Sequence, residues 1–369
     1  MYALQHTIVI IIVIGMSSFF CAASENEKSE QACPYKLLFH QAIYFQHEAV
    51  FNDSVSTLPT IINTVDLYDD PSFGDTPLHV AMAHGTESMI HTLLACKELD
   101  MLKINKQYKN ALHVAIECKR PKALLLKLLQ TWQRSEQQKT RYKYYLDRCW
   151  CYADYCDAFI NQSDKEGMTP FHHAFKMQFA DGMDALLHYG ARTNVRDMHG
   201  CMPLNEMVKK GDYAWVSKMA NHRNSIKAQD EYGRTPLHYA LIYAKNSALP
   251  YKLCIESEKL AEIQDRDGKT PLHWVAMLHV ADGPSLINSI AGHNHCGINI
   301  RDKSGHTPLH KAIIHNNYDP RCGLSTIPTL IKHGASLDEP DADGNTPLEL
   351  ARRFSPELVS KLIEWGAKP

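Results

Sequence analysis

From about residue 70 onward the chain alternates short polar clusters with apolar stripes of helical spacing, and the alternation keeps a period. One stripe begins at Gly305-His306-Thr307-Pro308-Leu309-His310-Lys311-Ala312. Near-copies are Gly74-Asp75-Thr76-Pro77-Leu78-His79, Gly167-Met168-Thr169-Pro170-Phe171-His172, Gly233-Arg234-Thr235-Pro236-Leu237-His238 and Gly268-Lys269-Thr270-Pro271-Leu272-His273. Looser ones are Gly200-Cys201-Met202-Pro203-Leu204-Asn205 and Gly344-Asn345-Thr346-Pro347-Leu348-Glu349, and the most degraded is Asn110-Ala111-Leu112-His113. The Thr slots lie 34, 59, 33, 33, 35, 37 and 39 residues apart, the mark of a stacked-repeat solenoid.

Each copy predicts a helix start. Thr before Pro is a good N-cap, Pro at the first helical position misses no amide proton, and Leu and Ala open the apolar face. Five residues before the Thr slot stands an Asp with a Gly three after it, at Asp164/Gly167, Asp197/Gly200, Asp230/Gly233, Asp265/Gly268, Asp302/Gly305 and Asp341/Gly344. Asp first and Gly last is the signature of a tight turn. Second helices end at Gly190-Ala191, Gly334-Ala335 and Gly366-Ala367.

Over residues 70–369 these motifs resemble the ankyrin-repeat family, whose unit is a β-turn and two antiparallel helices carrying Thr-Pro-Leu-His-x-Ala. The resemblance implies an all-α ankyrin-repeat α-solenoid of about eight repeats. Residues 25–69 read as a polar linker and a degenerate N-terminal capping repeat. In that repeat Phe39-His40-Gln41-Ala42 echoes the motif, and residues 54–66 are its expected second helix. Repeats at 70–130 follow, the second having lost its Asp, Gly, Thr and Pro. The period then breaks at 131–163, an insert rich in Cys and aromatic residues. It resumes over 164–369, where the last repeat serves as the C-terminal cap.

Composition adds compartment and excludes some functions. Formal net charge is −2 with 22% charged residues, so no global pull toward nucleic acid or an anionic membrane exists. Residues 1–24 carry an apolar run from Ile8 to Gly15, then Cys21-Ala22-Ala23-Ser24 before an acidic stretch, which reads as a secretory signal peptide. The alternative is an uncleaved N-terminal anchor, since Met1–Thr7 holds no Lys or Arg. The expected location is therefore secreted or periplasmic, or membrane-anchored if the segment stays. Cys21 lies in the leader; the other ten of the 11 Cys form an even set behind an export signal, which predicts one or two disulfides. Cys149-x-Cys151-x4-Cys156 is the densest group, with disulfide, zinc and plain burial all open there.

Candidate chemistry is sparse. Six of the 21 His share one repeat slot, and in ankyrin repeats that His bonds to backbone of its own and the neighbouring turn. His293-Asn294-His295-Cys296 has metal-ligand types, but its spacing is equally that of a solvated loop. No phosphate-binding glycine loop occurs and no Cys/His pair stands out, so neither an enzyme nor a cofactor is expected. The resemblance implies a protein partner, held by variable turn-tip positions on a concave face. Here these are Met198, His199, Glu231, Tyr232, Arg234, Arg266, Lys269, Lys303, His306 and Asn345, with Tyr232, Arg234 and Arg266 foremost because Tyr and Arg are enriched at hot spots. Membrane contact enters only if residues 1–24 remain uncleaved.

Overall fold

The computed structural model describes residues 34–57, 62–63, 74–143, 159–220, 225–243, 248–256, 258–278, 282–292, 297–316 and 320–368. The chain divides into two compact units, Met1–Tyr189 and Gly190–Pro369. Among the described residues the regular structure is helical throughout.

In the first unit the helices are α1 Pro34–Tyr44, α2 Glu48–Thr57, α3 Pro77–His84, α4 Glu87–Ala95, α5 Ala111–Glu117, α6 Lys122–Lys143, α7 Pro170–Lys176 and α8 Ala180–His188. The second unit has α9 Pro203–Lys210, α10 Tyr213–Ala220, α11 Pro236–Tyr243, α12 Ala248–Glu256, α13 Pro271–Met277, α14 Gly283–Ala291, α15 Pro308–Asn316, α16 Pro320–Lys332, α17 Pro347–Phe354 and α18 Val359–Glu364. Within each unit the helices form two layers. First helices pack on first helices, α1 through α3 and α5 to α7, and α9 through α11, α13 and α15 to α17. Second helices pack on second helices, α2 through α4 and α6 to α8, and α10 through α12 and α14 to α16.

The layers follow from the motif. Pro starts each first helix except α5, which begins at Ala111; the Leu slot (Leu78, Leu112, Phe171; Leu204, Leu237, Leu272, Leu309, Leu348) is at most 2% exposed, and Ala two positions after the His slot is sealed at Ala81, Ala115, Ala174, Ala240 and Ala351. Burying one such Leu contributes about 1.5–3 kcal/mol. The small Ala lets the next helix approach.

Before α7, α9, α11, α13, α15 and α17 the chain makes a finger. The Asp Oδ1 accepts the backbone N–H groups two and four residues on: Asp230 from Tyr232 and Arg234 (2.9 and 2.7 Å), Asp265 from Asp267 and Lys269 (2.9 and 2.9 Å), Asp302 from Ser304 and His306 (2.9 and 2.9 Å). Fingers then join through backbone: Arg266 N–H donates to Tyr232 O (2.7 Å), Lys303 N–H to Asp267 O (2.9 Å) and Ala342 N–H to Ser304 O (3.2 Å). Gly233 and Gly268 are required there, because φ is positive and a Cβ would stand 2.8 Å from the backbone nitrogen of the next finger.

The repeat at 106–130 keeps this finger with substitutes. Asn105 Oδ1 accepts from Gln107 and Lys109 N–H (2.9 and 3.0 Å), Tyr108 takes the positive φ of the missing Gly, and Asn110 caps α5 in place of Thr. The motif was therefore replaced, not lost.

Three other expectations change. The second helix of the first pair starts at Glu48 and not at 54, because Gln46 adopts φ 59° and ends α1 at once. The second helix of the repeat at 106–130 runs on through the insert's first residues to Lys143, and Phe159 near the insert's end stacks on Trp132 at 5.8 Å. Disulfides find no support among the described residues, where Cys96, Cys118 and Cys254 are free thiols. The Cys149/Cys151/Cys156 group, Cys33, the His293–Cys296 run and the leader lie outside the described residues. No helix among the described residues is long and apolar enough to cross a membrane.

Candidate functional site

The shared histidines hold the stacks together. In each, the backbone N–H of the Thr or Asn cap donates to His Nδ1, at 3.0–3.2 Å for His79, His113, His172, His238, His273 and His310. Nδ1 is thus an acceptor, so Nε2 carries the proton and donates across to the next finger: His79 to Lys109 O (2.9 Å), His113 to Met168 O (3.2 Å), His238 to Lys269 O (3.3 Å) and His273 to His306 O (2.9 Å). His40 of α1 stands 3.2 Å from Asp75 O in the same relation. Burial favours this neutral ring. It lowers His113 to about 3, with the charge of His173 adding to the effect, and lowers His238 and His310 to about 4. These rings are structural, occupied on both nitrogens or buried beyond reach.

Two units depart from the slot. Glu349 in α17 makes only its local half, accepting Thr346 N–H at 2.7 Å. Asn205 in α9 is buried with no hydrogen-bond partner for its Oδ1 among the described residues, since Met202 replaces the Thr that would donate to it.

The residue after the His is variable, and it carries chemistry that the motif alone did not predict. Asp Oδ1 is committed to the finger, so Oδ2 faces the first helix and takes a donor from nine residues on: His173 to Asp164 (2.8 Å), Tyr239 to Asp230, Trp274 Nε1 to Asp265 (3.0 Å) and Lys311 to Asp302 (2.8 Å). In the second unit these bonds orient two aromatic rings beneath cations. Arg234 lies 5.3 Å from both the Tyr232 and the Trp274 ring centroids, Lys269 is 5.4 Å over Trp274, and Lys209 is 4.9 Å over Tyr239 and 5.8 Å over Tyr243. Cation–ring contacts of this kind contribute about 0.5–1 kcal/mol each at exposed sites.

Most of the sequence-nominated residues meet on that face. Met198 (65% exposed), His199, Tyr232 (51%), Arg266 and Lys303 stand out at the finger tips. Arg234 and Lys269 are half-buried by their ring contacts, and Lys269 also reaches Asp267 Oδ2 at 2.8 Å. His306 is differently placed. It is packed into a polar knot, 3.1 Å from Lys311 Nζ and 3.5 Å from Asp341, and burial followed by the Lys311 charge holds its pKa below the ordinary value. Asn345 is also turned inward, donating to Asp341. The residues overlooked in the sequence are Trp274, Tyr239, Tyr243 and Lys209; the signal was present, since aromatic residues fill the x of Thr-Pro-Leu-His-x-Ala in two successive repeats.

A second polar cluster lies in the first unit. His173, 7% exposed, has Nδ1 3.1 Å from Glu117 and Nε2 2.8 Å from Asp164, while Lys109 Nζ approaches Glu117 at 2.6 Å. Both ring nitrogens thus face carboxylate oxygens, which accept hydrogen bonds. Burial pushes the Glu117 carboxyl up, but the hydrogen bonds from His173 and Lys109 outweigh it and bring it to about 2. The cluster is filled by its own partners and holds no nucleophile. Its role is to tie finger 164–167 to α5 and α7. Among the described residues no group of three or more His, Cys, Asp or Glu is arranged to hold a metal ion.

Comparison with known proteins agrees with this geometry. The profile of the family described as Ankyrin repeats matches residues 40–135 and 276–369. Inversin of Canis lupus familiaris is 28% identical over 198 residues, covering 53% of this chain and 18% of inversin. Rabankyrin-5 of Mus musculus is 26% identical over 154 residues, 40% of this chain and 13% of its own length. The human transient receptor potential cation channel subfamily A member 1 is 26% identical over 210 residues, 55% of this chain and 18% of the channel. The chain thus spans under a fifth of the length of each of these relatives.

Proposed function

This chain belongs to the ankyrin-repeat family, and from that premise we propose that it is an exported, non-catalytic scaffold that captures a protein partner on the concave face of its repeats. Ankyrin repeats are protein-interaction modules, which supports the general reading. The finer reading rests on one observation: Tyr232, Arg234, Lys269 and Trp274 form a continuous ladder of rings and cations on neighbouring fingers, with Met198, Arg266 and Lys303 exposed beside it. Rigid aromatic and Arg anchors on a preformed backbone lose little entropy on binding, which is the composition of an interaction hot spot.

Changing Tyr232→Ala and Arg266→Ala together is expected to cost about 2 kcal/mol or more of capture, a loss of at least about thirtyfold in affinity. Both side chains are exposed, and the Arg266 N–H bond to Tyr232 O is backbone, so helical circular dichroism should not change. The assay is affinity capture by the full chain from its native source, quantified by mass spectrometry. Undiminished capture by the double variant refutes this face. Export is supported by the apolar run and Cys21-Ala22-Ala23-Ser24 alone. The same mass spectrum reads it, as a mature chain starting near Ser24 or Glu25 rules out a retained anchor.

A further inference from the structure

The finger row of the second unit carries a charge pattern that the scaffold reading does not itself require. Three cations, Arg234, Arg266 and Lys303, stand on three consecutive fingers whose backbones are bonded to one another, Arg266 N–H to Tyr232 O and Lys303 N–H to Asp267 O. None of the three makes a hydrogen-bonded ion pair with a carboxylate among the described residues. The guanidinium of Arg234 is held between two rings with its N–H donors unspent, and Arg266 and Lys303 are exposed. Asp267, on the middle finger, is already bonded to Lys269 at 2.8 Å. Lys269 first, and then Lys303 and Arg234, hold the Asp267 carboxyl below the usual carboxylate range, although it is an exposed group. Three side-chain cations therefore stand along one finger row with no carboxylate of the described residues bonded to them, on a chain whose formal net charge is −2.

The pattern also selects the form of the anion. Glu231 and Asp267 stand among the cations on the first two of these fingers, so a uniform line of phosphates would meet repulsion at both, whereas carboxylates spaced to the cations would not. Tyr232 and Met198, both more than half exposed, give apolar contact for side chains between the charges. Packed helices lie roughly 8–10 Å apart, and an extended chain advances about 3.3 Å per residue, so successive fingers match about three residues of peptide. Building on the scaffold reading, we infer that the row from Tyr232 to Lys303 takes an extended acidic segment of the partner protein, with carboxylates about three residues apart.

The test uses fluorescence anisotropy with the full chain and a labelled peptide of about a dozen residues carrying Glu at every third position, beside its Gln counterpart and a single-stranded oligothymidine of similar charge. The Glu peptide is expected to bind at least about tenfold tighter than the Gln peptide, and to weaken as salt rises. Arg266→Glu with Lys303→Glu should remove that preference. Arg266→Gln with Lys303→Gln should reduce it, which keeps the result readable if the doubly reversed chain folds poorly by circular dichroism. Equal affinity for the Glu and Gln peptides, tighter binding of the oligothymidine, or a Glu preference that survives both charge variants would overturn the proposal. If both peptides bind equally and both are lost on Tyr232→Ala, the acidic segment falls while the scaffold reading stands. If binding ignores Tyr232→Ala as well as the charge variants, the face itself is wrong.

Discussion

Acidification from pH 7 to pH 5 is expected to lower the thermal midpoint of the protein by about 10 °C or more, well before any carboxylate reaches its usual titration range. The cause is the histidine slot. His113, His238 and His310 sit at about 3, 4 and 4 in the folded chain against an unfolded value of 6.5, and His79 and His273 are lowered in the same direction by burial. The unfolded chain binds the more protons between those values, so stability rises with pH there and is lost as pH falls below about 6.5. Each such histidine gives up about 1.4 kcal/mol per pH unit, hence roughly 2 kcal/mol apiece by pH 5. Protonation removes the acceptor at Nδ1 and places a charge in the core, breaking the bond from the cap N–H. Below that window the carboxylates act in the same sense: Glu117 is held at about 2, and its contribution is present above 4.5 and disappears as pH falls toward 2. Circular dichroism melts at pH 7, 6 and 5 check this. A midpoint that does not move between pH 7 and 5 would contradict the assignment of neutral, buried rings.

His173→Ala is expected to be the most damaging single change in the first unit, at about 3–5 kcal/mol. Its ring stands between Glu117 and Asp164, both held within hydrogen-bond range, and Asp164 Oδ1 simultaneously anchors the finger by accepting from Glu166 and Met168 N–H at 2.9 Å. Alanine would leave a buried carboxylate oxygen without its donor and remove the neighbour that packs edge-on to His113 at 5.5 Å. Lys109 keeps its bond to Glu117, so the loss falls on Asp164 and the finger. Urea unfolding monitored by circular dichroism reads the change. An unaltered midpoint would mean that the two carboxylates do not depend on the His173 ring.

The fold was readable because it is written several times. A Thr-Pro pair, a buried Leu slot and an Asp five residues upstream are local rules, and each copy checks the others. What failed locally was the degraded copy: Asn105, Tyr108 and Asn110 perform the Asp, Gly and Thr roles, because Asn accepts from backbone N–H as Asp does and a turn tolerates a left-handed Tyr at some cost. The start of the second helix at Glu48 was hidden because it depends on one residue, Gln46, at positive φ. The finger tips were identified from position in the repeat, which fixes exposure for Met198, Tyr232, Arg266 and Lys303. Position in the repeat does not fix pairing. His306 and Lys311 turn out to share one knot with Asp302 and Asp341, and Arg234 lies across Trp274 of the following repeat; the His306–Asp341 and Arg234–Trp274 contacts join segments more than thirty residues apart in sequence. Such contacts depend on how repeats stack, and no local rule contains them.

Hydrogen–deuterium exchange on the full chain, alone and with its captured partner, tests the central claim most directly. Binding along the finger row predicts slowed exchange of the backbone amides at 231–234, 266–269 and 303–306, with α12, α14 and α16 unchanged. Slowed exchange confined to those second-layer helices, with the three fingers exchanging as in the free chain, would contradict it.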